Sequence, residues 1–269
     1  MRYSINGNDY DVHVAGEGEP ILLLHGFTGK KETWSTFQEE WSKRYRTIAV
    51  DLPGHGGTEV NAPFTMENVC KDLSFLLDEL SMKDVHILGY SMGGRTALSF
   101  AMMYPNRVRT LMLESASPGL RASHEQLMRQ TKDEQLAKEI ERNGIVAFVD
   151  RWERLPMFSS QLTLPEETKQ QIRSERLTQS EFGLAASLRG MGTGIQPSWW
   201  DAIGDFHRPV LLITGELDEK FTTIAEEMRS VLSSATHKIV SQSGHAIHVE
   251  QPRKFVKIVE DFIQSNGFE

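Results

Sequence analysis

The sequence of 269 residues contains one cysteine, no excess of basic residues and no long apolar run. A single cysteine cannot form a disulfide within the chain, and Cys70 lies in an amphipathic stretch that predicts a buried, small apolar side chain. Lys and Arg total 29 against 37 Asp and Glu, so the net charge of −8 argues against a nucleic-acid binder. No segment has the roughly 18 apolar residues of a membrane span, and the first residues lack the apolar core of a signal peptide. We therefore expect a cytoplasmic protein without nucleic-acid or membrane partners.

Strand-like and helix-like segments alternate over most of the chain. Residues 3–5 and 10–14 read as two strands around the turn signal 6–9, which is typical of an antiparallel hairpin. The later alternation predicts a mostly parallel sheet with helices on both faces. The predicted strands after the hairpin are 20–24, 46–50, 84–89, 109–115, 209–215 and 236–240, and the predicted helices are 66–80 and 92–104.

The alternation stops between residues 118 and 205. No strand-like run occurs there, and helical patches at 124–143 and 165–177 are punctuated by four prolines. We expect an inserted helical cap over the carboxyl ends of the strands, where open α/β sheets bind their ligands. The predicted organisation is therefore an α/β core of residues 1–117 and 206–269 with a cap, or lid, of residues 118–205.

The segment Gly89-Tyr90-Ser91-Met92-Gly93 fits the pattern G-x-S-x-G, in which two glycines let a serine occupy a strained turn between a strand and a helix. Such a turn exposes the serine hydroxyl as a nucleophile. Pentapeptides of this kind arise often by chance, but this one follows an apolar strand pattern and precedes a helical one. The context favours a nucleophile over the plainer interpretation of Ser91 as a helix cap.

A serine nucleophile requires a base and an acid that orients the base. Asp218 follows the buried-strand run 209–215 and is the candidate acid. His245 lies in a polar loop with a glycine and is the candidate base. The chain order Ser91, Asp218, His245 is that of α/β-hydrolases, so the three residues together predict a catalytic triad.

Two backbone N–H groups should form the oxyanion hole of such a site. Position predicts Met92, directly after the serine, and Phe27, in the loop after an early strand. His25 in the same loop is predicted to order that loop rather than to catalyse. Asp51 and His55 are predicted to shape the turn after the next strand.

His245 and His248 form an H-x-x-H pair, which raises the question of a metal. No carboxylate or cysteine lies at metal-ligand spacing from the pair, so zinc is disfavoured. We predict no metal and no other cofactor.

Arginines near the serine indicate the charge of the substrate. Arg95 lies four residues after Ser91, one helical turn along, on a face that should point to the same cleft. A guanidinium there suits a substrate carboxylate, which it can bind in a bidentate manner. Arg129 and Arg176 lie on helical patches of the cap, where an arginine is more often simply solvated.

Several segments together carry a family resemblance. They are HGFTG at 25–29, GYSMGGR at 89–95, ESASPGL at 114–120, Trp152 with LPMF at 155–158, GLA at 183–185 and GTGIQPS at 192–198. They resemble the 2-succinyl-6-hydroxy-2,4-cyclohexadiene-1-carboxylate synthases of menaquinone biosynthesis, in the α/β-hydrolase superfamily. The resemblance covers nearly the whole chain, and the arginine after GYSMGG and the cap segments are more specific than the triad motifs.

The resemblance implies roles for individual residues. The implied triad is Ser91, Asp218 and His245, the implied oxyanion donors are Phe27 and Met92, the implied carboxylate binders are Arg95, Arg129 and Arg176, and the implied pocket residues are Tyr90, Trp152 and Lys220. Arg121 and Arg173 are competing candidates, because the helix register within the cap is not fixed by the sequence.

The implied reaction is an elimination rather than a hydrolysis. Members of this family release pyruvate from 2-succinyl-5-enolpyruvyl-6-hydroxy-3-cyclohexene-1-carboxylate, with the triad serine as the base. A small anionic polycarboxylate as substrate would explain arginines in a hydrolase-like cleft. The quaternary state is expected to be a monomer or a small homo-oligomer.

Two other functions use the same residues. A cytosolic carboxylic-ester or carbon–carbon-bond hydrolase would share the triad, and it predicts a mostly apolar pocket and a burst of acyl-enzyme with p-nitrophenyl esters. A non-catalytic ligand receptor on a hydrolase scaffold would keep its function when Ser91 is replaced by alanine. Fold alone does not decide between them.

Overall fold

The computed structural model describes residues 1–59 and 63–267, and eight strands in these ranges form one sheet. The strands are β1 (Arg2–Ile5), β2 (Asn8–Ala15), β3 (Glu19–Leu24), β4 (Tyr45–Val50), β5 (Val85–Tyr90), β6 (Val108–Glu114), β7 (Val210–Gly215) and β8 (Ala235–Val240). Their order is β1-β2-β4-β3-β5-β6-β7-β8. The pairs β1/β2 and β2/β4 are antiparallel and all other neighbours are parallel. The predicted fold class is confirmed, and the six predicted strands after the hairpin agree to within one residue at each end.

The N-terminal hairpin turns more tightly than predicted. Asn6 and Gly7 alone connect β1 to β2, and both have positive φ angles, of 51° and 87°. Two residues in this conformation match the twist of the strands they join. The other half of the predicted turn, Asn8 and Asp9, is the beginning of β2.

The helices lie between and beside the strands. They are α1 (Ser35–Trp41), α2 (Met66–Glu79), α3 (Met92–Met103), α4 (Ser123–Trp152), α5 (Glu166–Leu177), α6 (Glu181–Met191), α7 (Glu219–Val231), α8 (Ile247–Glu250) and α9 (Pro252–Asn266). The predicted helices 66–80 and 92–104 are found as α2 and α3. Among the described residues, none of these helices combines the length and the apolar character needed to cross a bilayer.

Both faces of the sheet are buried, because successive side chains of a strand point to opposite sides. In β3, Leu22 and Leu24 pack into one apolar cluster with α2, α3 and α7, whereas Ile21 and Leu23 pack into a second with α1 and α9. Cys70 on α2 is fully buried in the first cluster, as predicted, and burial raises the pKa of its thiol. Sheets covered on both faces leave the strand ends as the natural place for a site.

In the described residues 115–209, between β6 and β7, helices and loops occur but no strand, as predicted. The helix α4 extends well past the predicted end at residue 143, and Gly144 breaks it with a φ of 80° and a ψ of 169°. The helices α4 and α6 enclose their own apolar cluster, and Phe27 and Trp152 pack against its edge. This cluster joins the helical segment to the loop that follows β3.

Candidate active site

Ser91 occupies the turn between β5 and α3, with a φ of 50° and a ψ of −106°. The turn is possible because its flanks are glycines: a Cβ atom on Gly93 would collide with the carbonyl oxygen of Leu24, and one on Gly89 with that of Gly93. The Ser91 side chain makes no capping hydrogen bond to α3. The hydroxyl is therefore available to other groups, and the helix-cap interpretation does not account for it.

Ser91, His245 and Asp218 meet in one hydrogen-bonded chain. The Ser91 hydroxyl lies 3.0 Å from His245 Nε2, and His245 Nδ1 lies 2.7 Å from Asp218 Oδ2. Because a carboxylate only accepts, Nδ1–H donates to Asp218, and this leaves Nε2 free to accept from the serine. Asp218 Oδ1 also accepts from the backbone N–H of Phe221 at 3.3 Å, which fixes the carboxylate at the beginning of α7. His245 itself is buried.

The Phe27 backbone N–H lies in the loop after β3, and that of Met92 belongs to the first residue of α3, next to Ser91. Neither donates to an acceptor among residues 1–59 and 63–267. The Phe27 loop is held by His25, whose Nδ1–H donates to the Gly26 carbonyl at 2.8 Å and whose Nε2 accepts from the Leu52 N–H at 3.0 Å. Burial lowers the pKa of His25 to about 4, so the ring is neutral and makes both bonds at neutral pH. The predicted ordering role of His25 is confirmed.

A cavity of about 530 Å³ opens over the serine. Nine of the predicted site residues line it: Phe27, Tyr90, Ser91, Met92, Arg95, Arg129, Trp152, Lys220 and His245. Asp218 lies behind His245. The cavity is thus formed by the carboxyl ends of the strands on one side and by the helical segment on the other.

Arg95 is a cation without an acidic partner in the cavity wall. Its Nη1 donates to the Met191 carbonyl at 2.7 Å and to Gln196 Oε1. No carboxylate oxygen of the described residues lies within 4 Å of the guanidinium. Burial and the nearby charge of Arg129 lower the pKa of Arg95 to about 10, and it stays protonated at neutral pH. A half-buried cation that lines a cavity and has free N–H groups is a site for an anion.

The other cations of the cavity are at least partly compensated or exposed. Arg129 donates from Nε to Asp133 at 2.7 Å. The Arg121 guanidinium carbon lies over the Trp200 ring, 3.6 Å from its centroid, and the side chain pairs with Glu227. Lys220 is exposed at the rim. Arg121, a competing candidate of the sequence analysis, thus does line the cavity, but its charge is already paired.

Arg176 is not brought into this cavity. It is buried behind Phe158, with its guanidinium 4.9 Å from the centroid of that ring and 3.5 Å from a Glu153 oxygen. It borders a smaller cavity of about 70 Å³ on the other side of Tyr90. The competing Arg173 lies outside the 530 Å³ cavity and pairs with Asp150 and Glu153.

Asp51 and His55 shape the turn after β4, as predicted. The buried Asp51 carboxylate accepts from the Lys31 N–H at 2.5 Å, from Lys31 Nζ at 2.9 Å and from the Gly57 N–H at 2.8 Å. The His55 ring lies 5.1 Å from the His25 ring, and burial lowers its pKa to about 3.

Sequence reasoning gave no role to His248 or to Glu114. His248 donates from its backbone N–H and from Nδ1–H to the Glu114 carboxylate, at 2.9 Å in each case. The H-x-x-H spacing, whose second histidine is His248, was the one sequence feature that could have drawn attention to this pair. Within the described residues, no group of three or more His, Cys, Asp or Glu side chains is arranged to hold a metal ion.

A family profile described as the alpha/beta hydrolase fold matches residues 19–252. The chain belongs to the α/β-hydrolase family. This α/β-hydrolase is 47% identical over 261 residues to a protein of Bacillus subtilis (strain 168) that is provisionally named 2-succinyl-6-hydroxy-2,4-cyclohexadiene-1-carboxylate synthase, with 94% of each chain covered. It is 28% identical over 242 residues to the synthase of that name from Salmonella paratyphi B, covering 89% of this chain and 92% of that one.

The structure of MenH from S. aureus is similar to this α/β-hydrolase over almost its full length. The TM-score is 0.92 at 36% sequence identity, and the match covers 96% of this chain and 99% of the other. The predicted resemblance to the synthase family is thereby confirmed in both sequence and structure.

Proposed function

We propose that this α/β-hydrolase is a lyase of menaquinone biosynthesis. It eliminates pyruvate from 2-succinyl-5-enolpyruvyl-6-hydroxy-3-cyclohexene-1-carboxylate and leaves 2-succinyl-6-hydroxy-2,4-cyclohexadiene-1-carboxylate. The observation that carries this proposal is the half-buried Arg95 guanidinium, which lines the cavity of Ser91 and has no carboxylate partner among the described residues. The name and the 47% identity of the Bacillus subtilis relative support the same reaction. As a biosynthetic enzyme it would act in the cytoplasm.

In this mechanism Ser91, activated by His245, is the base. The succinyl carbonyl acidifies the proton on ring carbon C2, and Ser91 Oγ removes it while its own proton passes to His245 Nε2, 3.0 Å away. Asp218, 2.7 Å from Nδ1, stabilises the imidazolium that forms. The triad therefore supplies a strong base without a metal ion.

The electrons then move from C2 to the leaving group. Negative charge develops on the succinyl carbonyl oxygen, to which the Phe27 and Met92 N–H groups would donate. The electron pair returns through the ring double bond and breaks the bond between C5 and the enolpyruvyl oxygen. The proton held by His245 balances the charge of the enolpyruvate, which is released as pyruvate. A typical loss on removing one such oxyanion donor is about 10²-fold to 10³-fold in rate.

Substrate binding is assigned to the cations of the cavity. Arg95 and Arg129 bind substrate carboxylates directly, and Lys220 adds positive charge at the rim. Tyr90 and Trp152 provide the apolar walls. Because Arg176 lies behind Phe158, its proposed contact with a carboxylate requires a rotation of the Phe158 ring that opens the smaller cavity towards the larger one.

The helical segment 118–205 is proposed to be the lid of the site, and residues 1–117 and 206–269 the catalytic core. The apolar cluster of α4 and α6 contacts the core through Phe27 and Trp152, which lie 5.3 Å apart between ring centroids. A lid that packs on the oxyanion loop would exclude water from the base and the enolate.

The proposal is tested by incubating the protein with the purified enolpyruvyl intermediate and following pyruvate with lactate dehydrogenase and NADH. We expect pyruvate and the cyclohexadiene product in equal amounts, and little turnover of p-nitrophenyl esters. Ester turnover without pyruvate release would instead identify a hydrolase. Pyruvate release at the rate of a protein-free control would refute the lyase.

A further inference from the structure

The loop that carries His245 is attached to the sheet through a buried pair of side chains. Glu114, the last residue of β6, is fully buried, and His248 is nearly so. The His248 backbone N–H donates to Glu114 Oε1 at 2.9 Å. The ring Nδ1–H points at both carboxylate oxygens, at 2.9 and 3.0 Å. One carboxylate thus holds both the main chain and the side chain of a residue three positions after His245.

The same glutamate also touches the nucleophile turn. The Ser91 backbone N–H donates to the Glu114 carbonyl oxygen at 2.8 Å. Glu114 therefore binds the serine turn with its main chain and the histidine loop with its side chain. The two reacting side chains, Ser91 and His245, come from segments 154 positions apart, and this residue connects them directly.

A second carboxylate, Glu250, acts only within the loop. It accepts from the Gly244 N–H at 2.6 Å and from the Ala246 N–H at 3.4 Å. Because Glu250 is part of α8, which begins just after His245, these bonds fix the internal shape of the loop. They do not fix its place relative to Ser91. The Leu217 N–H bond to the Ser243 carbonyl and the His245–Asp218 bond tie the loop to the end of β7. Glu114, whose carbonyl also holds the Ser91 turn, ties the loop to β6.

The His248 ring is enclosed by aromatic side chains, so its position is well defined. Its centroid lies 4.6 Å from that of Tyr90, 5.3 Å from that of Trp34 and 6.0 Å from that of Phe255. Tyr90 directly precedes Ser91 and lines the cavity. A displacement of His248 would thus move both Tyr90, which is next to Ser91, and the loop that carries His245.

We propose that Glu114 is a positioning residue that, through His248, sets the distance between His245 and Ser91. This inference rests on the proposed use of Ser91 and His245 as the catalytic base. It gives the second histidine of the H-x-x-H pair a role as an anchor rather than as a metal ligand. A misplacement of about 1 Å between reacting groups can cost about a hundredfold in rate.

The test compares Glu114→Gln with a matched control, Asp72→Asn. Asp72 is also a buried carboxylate with three donors, Asn6, Asn8 and Tyr10, but it lies under the N-terminal hairpin. Both variants, Glu114→Gln and Asp72→Asn, should lower the melting temperature. We expect only Glu114→Gln to lower kcat, by about tenfold to a hundredfold, with KM unchanged. Equal kcat values for Glu114→Gln and wild type, per folded molecule, would overturn the proposal.

A second pair of variants covers the case in which Glu114→Gln does not fold. His248→Asn keeps an N–H donor near the carboxylate, whereas His248→Ala removes it. We expect His248→Asn to retain more kcat than His248→Ala. Identical kcat values for His248→Asn and His248→Ala would show that the side-chain bond from residue 248 to Glu114 does not position His245.

A readout without the substrate separates this proposal from the proposed function. Diisopropyl fluorophosphate forms a bond between Ser91 Oγ and phosphorus with loss of fluoride, and the rate of mass gain reports on the Ser91–His245 geometry. Slow labelling of Glu114→Gln together with no pyruvate release by wild type would support the positioning role and refute the lyase. Normal labelling of Glu114→Gln together with pyruvate release by wild type would overturn the positioning role and support the lyase.

Discussion

Replacing Arg95 by methionine should weaken substrate binding far more than it slows the reaction. Methionine retains much of the aliphatic volume and removes the charge. Of the three guanidinium nitrogens of Arg95, Nη1 donates to the Met191 carbonyl and to Gln196 Oε1. The edge formed by Nε and Nη2 is left for a ligand. That edge presents two parallel donors, the arrangement that matches a carboxylate.

The expected rise in KM depends on how far the Arg95 guanidinium is shielded from water. Arg95 is half-buried in the cavity wall, and loss of a hydrogen bond to a charged group costs about 1.5 to 3 kcal/mol. Since about 1.4 kcal/mol is a factor of ten, KM should rise by about tenfold to a hundredfold. A contact between a guanidinium and a substrate carboxylate is made in the ground state as well as in the transition state, so kcat should change little.

The assay is pyruvate release at substrate concentrations that span the new KM. Arg173→Met is the matched control: Arg173 is also an arginine of the predicted set, but it lies outside the cavity in pairs with Asp150 and Glu153. Its KM should stay at the wild-type value. A KM for Arg95→Met within twofold of wild type would remove Arg95 from the binding site.

Three further predictions concern the triad and the fold. His245→Ala should abolish pyruvate release without lowering the melting temperature, and more than trace turnover would contradict its role as base. Ser91→Ala should still bind substrate in calorimetry but release no pyruvate; full function in this variant would support a receptor. His25 and His55 have pKa values lowered to about 4 and about 3, so the unfolded chain binds their protons first and stability is lost as the pH falls below about 6.5. Urea unfolding at pH 5 should show about 2 kcal/mol less stability for each of them than at pH 7, and an unchanged midpoint would show that they are not buried as neutral rings.

The strands and the three triad positions could be predicted from sequence because each depends on local signals. Ser91 is marked by its two glycines and by the change from a strand pattern to a helical one. Asp218 follows the apolar run of β7, and His245 lies in the polar loop after the strand-like stretch 236–240. Parallel strands end at the same edge of a sheet, so the three side chains are brought together by topology alone.

Which of the cap arginines have side chains that face the cavity could not be predicted in the same way. Arg173 and Arg176 lie three residues apart on α5, yet one pairs with acids outside the cavity and the other is buried behind Phe158. Which face of a helix is turned inward depends on its partners, and α5 has almost no apolar stripe to reveal it. Arg95 was predictable, because the adjacent Ser91 turn fixes the direction of its helix.

The role of the Glu114–His248 pair illustrates a further limit. A polar residue at the end of a strand can be catalytic, structural or solvated, and only its partner distinguishes these cases. Glu114 and His248 are 134 positions apart, so no local pattern connects them. The H-x-x-H spacing showed that His248 was unusual, but the acid that explains it was identifiable only in the folded chain.

The scaffold explains how a hydrolase triad can serve an elimination. A triad serine attacks when a carbonyl carbon lies next to its oxygen, and it removes a proton when a C–H group lies there instead. What differs is the placement of the substrate, which in the proposed function Arg95, one helical turn from Ser91, and the nearby Arg129 would fix. If this reasoning is correct, removing both charges should not merely weaken binding. The double variant Arg95→Met/Arg129→Met should lose the preference for proton removal and gain turnover of small neutral esters over wild type, and an ester rate no higher than that of wild type would refute this account of the arginines.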